Sequence, residues 1–160
     1  MHGISRWTAP RRAEVAPRIY ATGPAQTANV RLRDGTRVKL APASRLTVPD
    51  EFGTDERSVG IEGEGLFDVV HDSAHPFRVR AKGTITEDIG TRFDMRAYPD
   101  DPGVVVTVAE GAVTVGRLRT DSAPQGGGAE GVIVRRGERA RAGGPDSTIT
   151  VDRVSLSTLG

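Results

Sequence analysis

Apolar and polar residues alternate with a period of two along most of the chain. The segments 28–33 and 36–40 each place valine and leucine on one face and arginine or lysine on the other. Asp34-Gly35 lies between them, and Asp-Gly between two alternating segments is a strong hairpin signal, because a type I′ turn needs positive φ at both central residues. Few stretches have the i, i+3, i+4 spacing of an amphipathic helix. The pattern therefore predicts short strands joined by tight turns.

The alternation continues along the chain and is interrupted by turns rich in glycine, proline and aspartate. Glu62-Gly63-Glu64-Gly65 predicts a turn or a bulge. Further strands are predicted at 43–48, 58–62, 66–70, 77–81, 84–89, 92–97, 104–108, 113–115, 132–134, 139–142 and 149–151. Roughly ten to twelve short strands with almost no helix predict an all-β fold. We expect a single-domain, jelly-roll-like β-sandwich, with a short β-roll or a solenoid-like stack of hairpins as the alternative.

The same pattern divides the chain into three parts. Residues 1–21 have weak periodicity interrupted by Pro10 and Pro17, which predicts a flexible lead-in, either a juxtamembrane stretch or a segment added for expression. Residues 22–154 form the predicted β domain, and residues 155–160 are a tail. Within the domain, the glycine-rich segment 117–131 predicts a flexible loop, since strand signals resume after it.

Composition and charge exclude several classes of function. The 160 residues include 22 basic and 21 acidic side chains, and a net charge of +1 argues against an extended nucleic-acid-binding surface. The absence of cysteine excludes disulfides, cysteine-ligated metal sites and a thiol nucleophile. No apolar run approaches the ~20 residues of a membrane-spanning helix, and the N-terminus lacks the apolar region of a secretory signal.

Histidine and carboxylate residues raise two enzymatic hypotheses. His71 and His75, together with Glu64, could ligate a metal in a β-barrel enzyme, but this segment predicts a loop, in which i and i+4 side chains need not converge. Paired carboxylates could catalyse glycoside hydrolysis. The candidate carboxylates are Glu62, Glu64 and Asp68, and Glu87 with Asp88. We interpret the two histidines as surface loop residues, and Glu62 and Glu64 as residues that flank a glycine turn and face solvent or cap turn amides. We predict no catalytic residue, metal ligand or cofactor.

A carbohydrate- or envelope-binding β-sandwich is the alternative function. It predicts a groove lined by Tyr98 or Phe52 with polar neighbours. Only 4% of the residues are aromatic, whereas sugar-binding clefts generally use aromatic platforms.

Four arginines are the candidate partner-binding face. Arg78 and Arg80 alternate along one predicted strand, and Arg92 and Arg96 along the strand after next, which we expect to be adjacent in the sheet. A basic stripe of this kind can bind an acidic partner. The competing interpretation is a solvated face with cross-strand ion pairs.

From Tyr20 onward, the order and spacing of strands and turns resemble those of the FecR family domain. The resembling segments are 20–22, 30–40, 43–46, 61–69, 75–79, 90–98, 106–113 and 136–140. The motif positions within them are Asp34, Gly35, Gly63, Glu64, Phe67, Pro76, Phe77, Gly90, Thr91, Phe93, Glu110 and Gly111. In this interpretation the three phenylalanines form most of an aromatic core.

The resemblance implies a non-enzymatic signalling domain in the periplasm. Similar proteins are inner-membrane sensors that relay the state of a TonB-dependent outer-membrane receptor to an extracytoplasmic-function sigma factor through protein contacts. The sigma factor is contacted by a cytoplasmic region, and one transmembrane helix joins that region to the β domain. We see neither of these two parts in this sequence, so we expect an excised domain of a membrane-anchored protein.

Overall fold

The computed structural model describes residues 17–54, 56–117, 131–143 and 148–155. These residues form thirteen β-strands and no helix. The strands are β1 Arg18–Ala21, β2 Ala28–Arg31, β3 Arg37–Leu40, β4 Arg45–Val48, β5 Arg57–Asp68, β6 Phe77–Ala81, β7 Thr84–Asp88, β8 Arg92–Ala97, β9 Val104–Glu110, β10 Ala112–Arg117, β11 Gly131–Arg135, β12 Glu138–Ala142 and β13 Ile149–Arg153. The all-β prediction is confirmed.

The long strand β5 organises the sheet. Its first half pairs with β4 on one edge and β6 on the other, and its second half pairs with β3 and β8. We call β1, β4, the first half of β5, β6, β7, β10 and β11 half-sheet A. Half-sheet B contains β2, β3, the second half of β5, β8, β9, β12 and β13. Together they form one mixed sheet that curves into a near-barrel. Among the described strands, β5 and β6 pair in parallel, and the other pairs are antiparallel.

One continuous core lies between the two half-sheets. Phe67 of half-sheet B packs edge-to-face on Phe77 of half-sheet A, with ring centroids 6.2 Å apart, and stacks on Phe93 at 5.1 Å. All three rings are fully buried, as the sequence predicts. Phe52, in the loop before β5, completes the aromatic cluster with its ring centroid 5.9 Å from that of Phe77.

The hairpin at Asp34-Gly35 is confirmed, but its predicted turn type is wrong. The amide of Leu32 donates to the carbonyl of Thr36, so the loop contains three residues, and of these only Gly35 has positive φ, at 94°. Both Asp34 carboxylate oxygens bind Thr36, one through its amide and the other through its hydroxyl. A three-residue loop that ends in a glycine of this conformation is the next commonest hairpin connection after the two-residue loops.

Three further predictions are corrected by the structure. The predicted turn at Glu62–Gly65 is absent, because β5 runs without a break from Arg57 to Asp68 and only bends at Gly63. The predicted lead-in ends too late, since Arg18–Ala21 forms β1 and pairs with β4. The hairpin-stack alternative is wrong, because β5 pairs with β8, β7 with β10 and β9 with β12 across intervening strands. The rest of the lead-in and most of the predicted loop at 117–131 lie outside the described residues.

Candidate protein-binding site

The predicted arginine face is divided between the two half-sheets. Arg78 and Arg80 lie on β6, which pairs with the first half of β5, whereas Arg92 and Arg96 lie on β8, which pairs with the second half. The strands β6 and β8 do not pair with each other, so the expectation that they are adjacent is wrong. The four side chains therefore do not form one stripe.

Two of these arginines are engaged in ion pairs. The Nε of Arg78 lies 2.7 Å from a carboxylate oxygen of Glu87 on the paired strand β7. The Nε of Arg96 lies 3.1 Å from Asp101, and its guanidinium lies over the ring of Tyr98 at 5.0 Å. Cross-strand or local pairing, the competing interpretation, describes both of them. Within the described part of the chain, Arg80 and Arg92 form no ion pair.

Half-sheet B instead gathers a different set of cations around a groove on its outer face. The groove has a volume of about 310 Å³ and crosses β2, β3, β5 and β8. We call it the cationic groove. Its outward-pointing side chains are those of Asn29, Arg31, Arg37, Lys39, Leu66, Asp68 and Arg92.

Strand register explains why these side chains meet. Arg31 pairs with Arg37 across the β2–β3 hairpin, Arg37 with Asp68 of β5, and Asp68 with Arg92 of β8. The groove thus contains four cations and a single carboxylate. None of the four cations has an ion-pair partner among the residues that the structure describes. Asp68 offsets one of the four positive charges, so the groove keeps a net positive charge, which favours an anionic ligand.

The sequence pattern places three of these four cations on one face of the β2–β3 hairpin but does not indicate a function for them. The alternation of 28–33 and 36–40 already places Arg31, Arg37 and Lys39 on a common side. The missing step was the pairing of β3 and β8 with the same half of β5. That pairing joins residues far apart in the sequence, so no local pattern reveals it.

Several of the motif residues lie at the end of the molecule where Arg57 is buried. Arg57 is 3% exposed, and its Nε donates to the carbonyl of His75 at 2.7 Å. Its Nη1 donates to Asp34 at 2.9 Å and to the carbonyl of Val70 at 2.8 Å. The guanidinium also lies 5.5 Å from the ring centroid of Phe77. Arg57 thus joins the β2–β3 turn to the loop between β5 and β6.

The motif glycines permit close approach between loops. A Cβ on Gly90 would lie 2.6 Å from the Cα of His71, and a Cβ on Gly111 would lie 2.6 Å from Cγ2 of Thr91. Gly63 lies away from these loops, at the point where β5 bends against Ser44. These positions serve packing, and the structure gives them no direct contact with the cationic groove.

A buried acid lies among the same loops. Asp88 points inward from β7 and is 4% exposed, and neither of its carboxylate oxygens has a hydrogen-bond partner among the described residues. Burial raises the pKa of Asp88 to about 7, although the positive charge of Arg57 acts in the opposite direction. The Thr86 and Thr91 hydroxyls are likewise buried without a partner in the described structure.

A second unusual acid lies on the outer face of half-sheet B. Burial, together with the hydrogen bond and the negative charge of Glu64, raises the pKa of Asp94 to about 8, although the charge of Arg96 acts in the opposite direction. Asp94 is paired with Leu66 on β5 and with Thr107 on β9, and both of these side chains are partly or fully buried. Close to neutral pH, Asp94 keeps its proton and adds no negative charge to this face.

The structure does not support the metal-site hypothesis. His75 contacts Asp72, and this hydrogen bond holds the pKa of Asp72 below its usual range. Glu64 lies in the middle of the outer face of half-sheet B, where its carboxylate contacts Arg96. No group of three or more metal-ligating side chains occurs within the part of the chain that the structure describes.

The predicted sugar platform is also wrong. Phe52 is 1% exposed and packs on Phe77, so its ring cannot stack on a ligand. The Tyr98 hydroxyl donates to the carbonyl of Pro42 at 2.7 Å, and Arg96 covers its ring.

Comparison with known proteins places this chain in a family. The model of the FecR family, described as FecR protein, matches residues 18–114, which is more than half of the chain. The chain belongs to the FecR family. A comparison with curated proteins finds no match. No described residues form a helix long and apolar enough to cross a membrane.

Solved structures are similar to this chain over most of its length. Two crystal structures, both described as a "putative anti-sigma factor" from Parabacteroides distasonis, are 25% identical in sequence, with TM-scores of 0.76 and 0.75. Each match covers 89% of this chain but 62% of the other. The chain therefore spans less than two thirds of the length of these neighbours. Family and neighbours together support the role of a signalling regulator.

Proposed function

We propose that this FecR domain is the periplasmic signalling domain of a membrane-anchored regulator. In this proposal it relays the state of a TonB-dependent outer-membrane receptor to an extracytoplasmic-function sigma factor. The domain itself contacts the receptor's signalling domain, and a cytoplasmic part of the full-length protein contacts the sigma factor. The match of residues 18–114 to the FecR family is the observation that carries the proposal.

The surface chemistry supports a role in binding without catalysis. The cationic groove is lined by four basic side chains, and it contains no histidine or serine that could act as a base or nucleophile. The two acids with raised pKa, Asp88 and Asp94, are both largely buried. We therefore propose that the domain is not an enzyme and that its ligands are proteins.

Titration calorimetry tests the receptor contact. The chain is titrated with purified N-terminal signalling domains of the TonB-dependent receptors encoded in the same genome. We expect saturable one-to-one binding to one receptor domain, and none to the plug domain of that receptor, which serves as the control.

A reporter experiment tests the relay in the cell. Deletion of the full-length gene should change transcription from the promoter of the cognate receptor operon, and the gene restored in trans should reverse that change. The proposal fails if no receptor domain binds the chain and the deletion leaves the transcription of every receptor operon unchanged.

A further inference from the structure

One edge of the strand β2 has no partner strand among the residues that the structure describes. On its other edge, β2 pairs with β3. The bond from the Leu32 amide to the Thr36 carbonyl, 2.8 Å long, fixes which residues face the partner strand. Hydrogen-bonded and non-hydrogen-bonded pairs alternate along an antiparallel ladder, so Val30 and Ala28 also bond to β3. The amides and carbonyls of Asn29 and Arg31 consequently point away from the sheet.

The side chains of these two residues line the cationic groove. Asn29 and Arg31 are exposed on the outer face of half-sheet B. A strand added beside β2 would therefore bond to their backbones and place its own side chains over the same groove. Directly opposed side chains in neighbouring strands lie about 5 Å apart, which is ion-pairing range for an arginine.

Charge determines which strand fits. Arg31, Arg37, Lys39 and Arg92 surround the groove, and Asp68 is its single acid. A second copy of this chain added through β2 would bring Arg31 close to another Arg31, and like charges in such positions are destabilising. An acidic segment would instead pair with cations that lack partners among the described residues.

We propose that β2 is the docking edge for an extended acidic segment of a partner protein. The segment adds as a strand beside Asn29 and Arg31, and its acidic side chains enter the cationic groove. The intervening residue faces the inner side of the sheet beside Val30, at the margin of the core, and is apolar. The recognised pattern is acidic–apolar–acidic. This inference rests on the proposed function only in that the domain acts through protein contacts.

A synthetic peptide tests the docking mode. The probe is an acetylated, amidated nonapeptide of alternating glutamate and valine, and binding is followed by NMR and by amide hydrogen exchange of the full chain. We expect the amides of Asn29 and Arg31 to become protected from exchange upon binding. A peptide with lysine in place of glutamate is the charge control. A peptide with N-methylated glutamates is the pairing control, because it keeps the charge but lacks the amide protons that face β2 in an antiparallel pair. Neither control should bind.

Variants separate charge from strand pairing. Asn29→Pro removes an outward amide without removing an internal hydrogen bond, and proline is tolerated at such an edge position. We expect it to abolish the protection while Tm stays near that of the parent chain. The double variant R31E/R37E should weaken peptide binding about tenfold or more, because buried charge pairs at interfaces dominate dissociation. Arg141→Glu, an exposed arginine of the same outer face on β12, is the matched control and should bind normally.

The outcomes distinguish this inference from the proposed function. Peptide binding without protection of Asn29 and Arg31, or undiminished binding by Asn29→Pro, would overturn strand addition. Displacement of the peptide by inorganic phosphate at an equal concentration of charge would also overturn it. The site would then recognise any anion, without hydrogen bonds to a peptide backbone. If a receptor domain binds Asn29→Pro as tightly as the parent, the relay stands and the docking edge is wrong. If the peptide docks as described but no receptor binds, the docking edge stands and the relay is wrong.

Discussion

Arg57 and Asp88 are both buried at the same end of the core, yet their surroundings differ. Arg57 donates hydrogen bonds to Asp34 and to the carbonyls of Val70 and His75. For Asp88, the nearby Thr91 hydroxyl, the charge of Arg57 and the Gly90 amide do not offset the loss of hydration, so its charged form is disfavoured. The consequence is that Arg57 stabilises the loops around it, whereas ionisation of Asp88 destabilises the fold.

Asp88 should make the stability of the domain fall as pH rises towards neutrality. Its pKa in the folded protein is about 7, against about 3.8 in the unfolded chain, so the folded state holds the proton more tightly. This stabilisation is complete below about pH 4 and is lost as the pH rises through 7. Asp88→Asn removes the titration, and we expect it to raise the free energy of unfolding at pH 8 by about 1–3 kcal/mol, with a gain at pH 5 of roughly a third of that size. Urea denaturation followed by circular dichroism measures both values.

The matched control is Asp100→Asn, which changes an exposed aspartate in the loop between β8 and β9. It should leave the difference in stability between pH 5 and pH 8 as it is in the parent chain. Asp94, whose pKa is also raised, contributes a slope of the same sign, so Asp88→Asn should reduce the slope without abolishing it. An unchanged slope in Asp88→Asn would show that Asp88 is ionised in the folded protein at pH 5.

At the scale of the element, the bend in β5 depends on one glycine. Gly63 has a φ of 105°, and a Cβ there would collide with Oγ of Ser44 and lie 2.7 Å from its Cα. Gly63→Ala therefore meets both backbone strain and a clash with a backbone atom. We expect it to destabilise the domain by about 3 kcal/mol or more, measured as the shift of the urea midpoint.

Gly60 of the same strand provides the comparison. It has no positive φ, and a Cβ there would lie 3.9 Å from the carbonyl oxygen of Arg80, an ordinary contact. Gly60→Ala should leave the urea midpoint within about 0.5 kcal/mol of the parent value. Equal losses at the two glycines would contradict the assigned role of the bend.

The alternation of residues predicts most strands because half-buried strands have a period of two. It fails at β5, where glycines at 63 and 65 look like a turn, although the inward residues of the strand remain the odd-numbered ones through the bend. It also places the β6–β7 connection at residues 82–83 but does not predict the conformation of that turn. There Lys82 and Gly83 both have positive φ and form the two-residue loop that was expected at Asp34-Gly35. A lysine in this conformation is uncommon, so composition gives little warning.

At the scale of the whole molecule, strand order decides the surface, and strand order is not a local property. The sequence places Arg92 and Arg96 on one strand, but it does not show that β8 joins β3 through β5. The predicted face therefore contained one residue of the cationic groove, Arg92, and missed the other three cations. Burial of Phe67, Phe77 and Phe93 was predictable, since each lies in an alternating segment whose apolar side must face the core. Burial of Phe52 was not, because it lies in the loop before β5.

The two half-sheets should unfold as one unit, because their cores are continuous. Phe77 of half-sheet A contacts Phe67 of half-sheet B, and Phe67 stacks on Phe93. Phe77→Leu should cost about 1–2 kcal/mol, which corresponds to an increase of about 5- to 30-fold in globally controlled hydrogen exchange. We expect the amides of Val115 on β10 and Val106 on β9, one in each half-sheet, to accelerate by the same factor.

Exchange measured by NMR on the intact chain distinguishes the alternatives. Ile133→Ala, which truncates a side chain that is 49% exposed on β11, is the control and should leave exchange at both amides close to that of the parent. Acceleration confined to Val115 would mean that half-sheet A opens by itself. In that case β5 would be a hinge between two separately stable layers, and a partner bound at β2 would stabilise only half-sheet B. Equal acceleration would instead mean that a strand docked at β2 stabilises the whole domain, including the loops around Arg57 that are formed by both half-sheets.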